Sequence, residues 1–196
     1  ILGRTLTMDA AGEPLNMTVT EVVSVLGPLH VIQGRLDIRL ALTDIRWGQR
    51  QLGTANVVLR NVVLRPGNPP SIKAAPLELI LTIPSRTVDT LVRETRPEVS
   101  VEIDDDAVAR LHWARRPGWA NVELDVDLDR AAAPPVLRLT PRAFNVARRR
   151  VHLPGRTQQF PVPLTRLPAD LRLIDVATRP AALRVAAVLP EWRVPR

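Results

Sequence analysis

Asn121-Val122-Glu123-Leu124-Asp125-Val126-Asp127-Leu128-Asp129 alternates without a break between polar and aliphatic residues. Successive side chains of a strand face opposite sides of a sheet, so Val122, Leu124, Val126 and Leu128 form a dry face and the intervening acids and Asn121 a wet one. A looser version runs from Gly34 to Thr43, where Leu36, Ile38, Leu40 and Leu42 share a face and Asp37, Arg39, Ala41 and Thr43 make a mildly polar reverse. In a third, Leu77, Leu79, Leu81 and Ile83 face one way and Glu78, Ile80 and Thr82 the other. The pattern predicts an α+β, mostly β chain built from antiparallel sheet with an aliphatic interior.

Composition narrows what that interior is for. At 196 residues and 21.7 kDa the chain can bury a substantial core. Hydrophobic residues are 45% but aromatics only 3%, with no Tyr, so the interior is made of Val, Leu, Ile and Ala rather than the platforms on which nucleic-acid bases stack. The net charge of +7 is uneven: from Arg138 onward there are 12 arginines and three acids (Asp170, Asp175, Glu191), a balance of +9, against −2 for residues 1–137. A basic C-terminal third suits an anionic partner, and a high-Arg composition with only Lys73 can equally reflect coding bias. No cysteine is present, which excludes disulfides and thiolate metal sites. No run approaches the roughly 18 to 20 apolar residues of a membrane helix. The chain begins at Ile1 rather than Met, and a targeting or anchoring segment is expected outside it.

One helix is predicted. Ser85 reads as an N-cap after Pro84, Val88, Leu91 and Val92 recur at helical spacing, and Pro97 stops the run, giving about three turns. Val19 to Leu26 fits helix or strand equally, because its β-branched content weakens the helical reading. The remaining strands are Val57 to Leu64, Val99 to Ile103, Val108 to Trp113, Val136 to Thr140, Val146 to Leu153, Leu171 to Val176 and Leu183 to Leu189. Turns fall at Asp104 to Asp106 and at Pro117-Gly118. Residues 131–135 are the best internal break, but the style of the strands does not change across it, and residues 1–196 read as one domain.

Catalytic groupings are scarce. His30, His112 and His152 stand alone, without the paired spacing of a zinc site, and none of the four serines lies in Gly-x-Ser-x-Gly. Asp104, Asp105 and Asp106 read as a hairpin turn, since a calcium loop spreads its ligands over about twelve residues. An enzyme would need a site assembled from scattered acids such as Asp37, Asp44 and Asp175, and the chain is read as non-enzymatic, with no cofactor and no metal site. Two groupings suit a lipid surface. In Arg148-Arg149-Arg150, Arg148 and Arg150 share a strand face and can attract phosphate, or the run can simply protect an edge strand. Trp113 and Trp119 bracket Arg115, Arg116, Pro117 and Gly118; rings and cations together suit a membrane–water interface, or each Trp is an ordinary core residue.

Leu77-Glu-Leu-Ile-Leu-Thr-Ile-Pro84, the following Ser85 to Glu94 helix, Val99 to Asp106, Pro161-Val-Pro-Leu-Thr-Arg-Leu-Pro168, Leu171-Arg-Leu-Ile-Asp-Val176 and the closing Leu183 to Val188 resemble the LmeA-like phospholipid-binding family of bacterial cell-envelope proteins. The likeness spans about Gly34 to Val188 and consists of apolar and proline positions. It implies a fold similar to tubular lipid-binding domains, a curved antiparallel sheet wrapped around one or two helices, and a secreted or membrane-anchored protein of the envelope or periplasm that binds phospholipid without catalysis.

The residue reading is compatible with that implication. Leu79, Leu81, Leu124 and Val126 from strands and Val88, Leu91 and Val92 from the helix would line an aliphatic groove, Trp113 and Trp119 would meet the lipid, and Arg148 and Arg150 would meet its headgroup at the mouth. Each buried methylene contributes about 0.8 kcal/mol, so a chain of roughly sixteen carbons gains on the order of 10 kcal/mol with few polar contacts. The expected partners are an anionic phospholipid and a membrane surface, not nucleic acid. The alternative is an envelope assembly protein that binds another protein by a sheet edge.

Overall fold

Aliphatic alternation resolves into two antiparallel sheets. The computed structural model describes residues 2–10, 13–25, 36–65, 71–116, 118–132, 134–146, 149–154, 159–163 and 170–193. In chain order the elements are β1 (Thr5–Ala10), β2 (Glu13–Val25), β3 (Leu36–Trp47), β4 (Arg50–Arg65), β5 (Ser71–Ala74), β6 (Leu77–Pro84), α1 (Ser85–Thr95), β7 (Val99–Ile103), β8 (Ala109–Trp113), β9 (Ala120–Asp129), β10 (Val136–Val146), β11 (Arg149–His152), β12 (Phe160–Pro163), β13 (Arg172–Arg179), β14 (Ala182–Leu189) and β15 (Trp192–Arg193). The α+β, mostly β class is therefore observed. The ambiguous Val19 segment is strand, because as part of β2 its residues pair with β3 from Leu15 opposite Trp47 to Val25 opposite Asp37.

Strands β1-β2-β3-β4-β6-β14-β13 form the first sheet in that order, with β5 on β4 and β15 on β5. Cross-strand neighbours Val19, Leu42 and Ala55 are buried, and Leu40 opposite Val57 and Ile38 opposite Leu59 extend the same face. Three irregularities interrupt the β3–β4 ladder, and two of them carry a non-glycine residue at positive φ: Asp44 at 50° and Asn61 at 48°. Short polar side chains tolerate that region best, and Asn61 is further held there by its N–H donating to Asp37 Oδ1 and its Nδ2 to the Ala75 carbonyl.

Strands β11-β10-β9-β8-β7 form the second sheet, with β12 also on β10. Pro141 ends the predicted strand at Thr140, yet β10 continues to Val146; the ring sits at a register shift between Pro141 and Ala143, where a missing N–H is tolerated. The predicted Val146 to Leu153 strand is instead two. Val146 closes β10 and Arg149 opens β11 opposite it.

Helix α1 forms where predicted, but Ser85 is not its cap. The preceding residue is Pro84, no side chain caps the helix, and Ser85 N donates to the Ala181 carbonyl at 2.9 Å. Ser85 Oγ faces the sheet and accepts the Ile103 N–H at 2.7 Å, while Asp89, one turn on, accepts the Val101 N–H at 2.9 Å and the Arg96 carbonyl accepts the Val99 N–H at 3.1 Å. Three alternate donors of the edge strand β7 are thus met by the helix and the residue after it.

The contacts divide the chain into two compact units: Ile1–Leu81, Leu167–Ile174 and Ala186–Arg196 in the first, Thr82–Arg166 and Asp175–Val185 in the second. The core of the first is the Val19, Leu42, Val57 and Leu59 cluster; that of the second is Ile103, Ala109 and Leu124 with Val88 and Leu183 packed against them. Residues 131–135 connect β9 to β10 within the second unit.

Candidate functional site

Register in the second sheet determines which side chains share a face. One row runs Val101, Leu111, Val122, Phe144, Val151 across five strands; the next is Ile103, Ala109, Leu124, Pro141; then Val126, Leu139, Phe160; then Leu128, Leu137, Val162. Not one polar side chain occurs in these four rows. Their centre is buried, Ile103 and Ala109 being 3% and Leu124 7% exposed, whereas the β11–β12 flank is open, with Val151 56% and Phe160 52% exposed. Val126, Leu139, Val122 and Leu111 are half-buried between them.

The structure brings part of the predicted lining together. Val88, Leu124 and Val126 meet in the core of the second unit. Leu91 and Val92 are half-buried on the same helix. Leu79 and Leu81 pack elsewhere, against the cluster of the first unit with Leu77 and Val57. The reason is register: β6 pairs into the nine-stranded sheet, and the chain enters the second unit only after Leu81. Trp113 and Trp119 are 54% and 65% exposed, so neither is a core residue.

The opposite face is a charged lattice. Glu102, Arg110, Glu123, Ala143 and His152 are cross-strand neighbours, as are Ser100, His112, Asn121, Asn145 and Arg150. Glu123 is only 4% exposed and accepts hydrogen bonds from Asn145 Nδ2 at 3.1 Å and from the Arg150 guanidinium at 2.5 Å. Burial pushes its carboxyl up, but those two donors and the positive field of Arg150 and Arg110 outweigh it and hold the carboxyl below the usual range. Arg110 pairs with Asp104 and, at 2.6 Å, with Asp106, so two members of the aspartate cluster anchor the β7–β8 turn. His112 Nε2 lies 3.3 Å from Glu102 Oε2.

Arg150 therefore stands on the face away from Leu124 and Val126, with its charge engaged by Glu123. Arg148, the other predicted headgroup contact, lies outside the described residues, as does His30. Alternation marks Glu123 as a wet-face residue; its burial depends on partners 22 and 27 positions away and has no local signal.

Two of the three scattered acids, Asp37 and Asp175, are otherwise occupied. Asp37 pairs with Arg60 at 2.9 Å, and Arg60 also reaches Glu78 at 3.2 Å, while Asp175 lies 3.6 Å from Arg184. Hydrogen bonds to Glu78 and then Asp37 raise the Arg60 pKa further above neutrality. Among the described residues no group of three or more acids and histidines is placed to hold a metal ion, and no helix is long and apolar enough to cross a membrane. Comparison with protein-family models, curated proteins and solved structures gives no match for this chain.

Proposed function

We propose that this protein binds phospholipid without catalysis, acyl chains lying along the apolar face of the β7–β12 sheet. The observation that carries the reading is the run of four unbroken apolar rows whose β11–β12 flank stays exposed. The centre of this face is covered by packing, but its apolar flank is not, and such a flank gains by taking an apolar ligand, at about 25 cal/mol per Å² removed from water. The lining set is drawn from the second unit alone: Val88, Leu111, Val122, Leu124, Val126 and Leu139, with Phe144, Val151 and Phe160 at the open flank. Arg150 is left out, because its guanidinium neutralises Glu123 on the other face. The resemblance to LmeA-like proteins supports the same ligand class and a place in the cell envelope.

The rival reading, protein docking on a sheet edge, finds less support at the β7 and β12 edges of the second sheet. The β7 edge has its Val99, Val101 and Ile103 donors accepted already, and β12 carries Pro161 and Pro163, which have no N–H to offer.

The test is organic extraction of freshly purified protein with mass spectrometry of the extract, and uptake of labelled phospholipid from vesicles. The expected result is co-purified or acquired phospholipid, lost in a Val151→Asp/Phe160→Asp variant that still melts cooperatively. Protein that neither carries nor acquires lipid overturns the reading.

A further inference from the structure

Both apolar and cationic groups collect at one end of the second sheet. Val99 lies opposite Trp113, and Ala120, Val146 and Arg149 are cross-strand neighbours, so the β8–β9 turn and the Val146/Arg149 end of the β10–β11 pair belong to the same end of the sheet. The turn is shaped by the Arg116 N–H donating to the Trp113 carbonyl at 2.9 Å and the Trp119 N–H to the Arg116 carbonyl at 3.1 Å. Trp113 and Trp119 are the two most exposed aromatic side chains among the described residues. Arg115, Arg116 and Arg149 are exposed, and among the described residues no carboxylate pairs with them.

The local charge is one-sided. Residues 113–120 and 146–152 contain no acid. Glu98, whose carbonyl accepts the Ala114 N–H, has its carboxylate 3.8 Å from Arg96 instead. By contrast Arg150, Arg110 and Arg138 are each held by an acid. Indole rings favour the boundary between hydrocarbon and headgroups, and unpaired guanidinium groups favour phosphate. By the strand alternation, Trp113, Val146 and Arg149 also lie on the parity of the apolar rows, so this end is continuous with the proposed acyl face.

We propose that this end of the sheet docks on an anionic bilayer, Trp113 and Trp119 entering the interfacial layer while Arg115, Arg116 and Arg149 meet lipid phosphates. The proposal deepens the phospholipid-binding reading and rests on it for the cargo, but the docking itself is separately measurable. A basic residue near an anionic surface contributes about 1 kcal/mol, which is about a fivefold change in partitioning.

The experiment is co-sedimentation of the full chain with vesicles of phosphatidylcholine alone and of phosphatidylcholine containing phosphatidylglycerol, with extracted lipid measured on the same samples. Wild type is expected to bind only the anionic vesicles. Arg115→Gln/Arg116→Gln is expected to weaken that binding on the order of 25-fold, and Trp113→Ala/Trp119→Ala to weaken it as well. Arg130→Gln/Arg142→Gln removes the same charge from exposed positions elsewhere in the unit and should change binding little. Arg115→Gln/Arg116→Gln is expected to keep its extractable lipid, because neither arginine belongs to the acyl lining. Equal binding to neutral vesicles, undiminished binding of the Arg115/Arg116 variant, or equal loss in the Arg130/Arg142 control overturns the docking proposal. Vesicle binding without any extractable or acquired lipid leaves docking standing and removes the acyl-binding reading.

Discussion

Glu123 shows how a side chain that belongs by pattern to water is taken out of it. Its carboxylate is buried only because Asn145 and Arg150, from two further strands, supply hydrogen bonds in place of solvent. Glu123→Gln keeps the shape and removes the charge, so we expect a loss of about 2 kcal/mol at neutral pH in denaturant melts, in the range of a hydrogen bond to a charged group. The pH dependence has a definite sign. Its folded pKa is depressed, so its contribution is complete above the unfolded value of about 4.3 and lost as pH falls through the lower folded value. The stability gap between wild type and Glu123→Gln should therefore close below about pH 4; a gap that widens with acid would contradict the assignment.

Helix α1 stabilises the second sheet by covering its edge as well as by packing Val88 on it. Ser85 and Asp89 are one helical turn apart, which matches alternate donors of an extended strand closely enough for both bonds to form. Asp89 also accepts from Ser100 Oγ at 2.8 Å and from Arg93 Nε at 3.1 Å, so it organises three groups at once. Asp89→Ala is expected to cost about 2 kcal/mol and Ser85→Ala about 1 kcal/mol, since each leaves a strand N–H without its acceptor. Amide hydrogen exchange provides the local check: Val101 should lose protection in the first variant and Ile103 in the second, with β9 amides little changed. Uniform loss across the sheet would mean that the helix acts only through its apolar face. The same geometry explains why Ser85 does not act as a cap. Ser before a helical run signals an N-cap in isolation, but the strand that competes for its hydroxyl begins fourteen residues later.

The chain as a unit of function is expected to respond to its ligand unevenly. A phospholipid held by the native second unit alone stabilises it by about 2.7 kcal/mol at one hundred times the dissociation constant. Hydrogen exchange should then slow within residues 82–166 and 175–185, with the β1–β4 ladder unaffected, and the thermal midpoint of the second unit should rise. Equal slowing in β1–β4 would place the ligand elsewhere.

Local periodicity made the class of fold, the direction of Leu124 and Val126 and the position of α1 readable from residue order, because each follows from the two-residue and 3.6-residue periods of backbone geometry. The exposure of Trp113 and Trp119 does not follow from it, since alternation puts Trp113 on the parity of the apolar rows and core burial fits the sequence as well. Leu79 and Leu81 carry the same alternation as Leu124 and Val126, and nothing local distinguishes them; strand pairing sends the first pair into one core and the second into another. Pairing likewise turned Arg150 towards Glu123, released Ser85 from capping, and carried β10 through Pro141. Those outcomes depend on contacts between positions far apart in the chain, where register rather than residue type selects the partner.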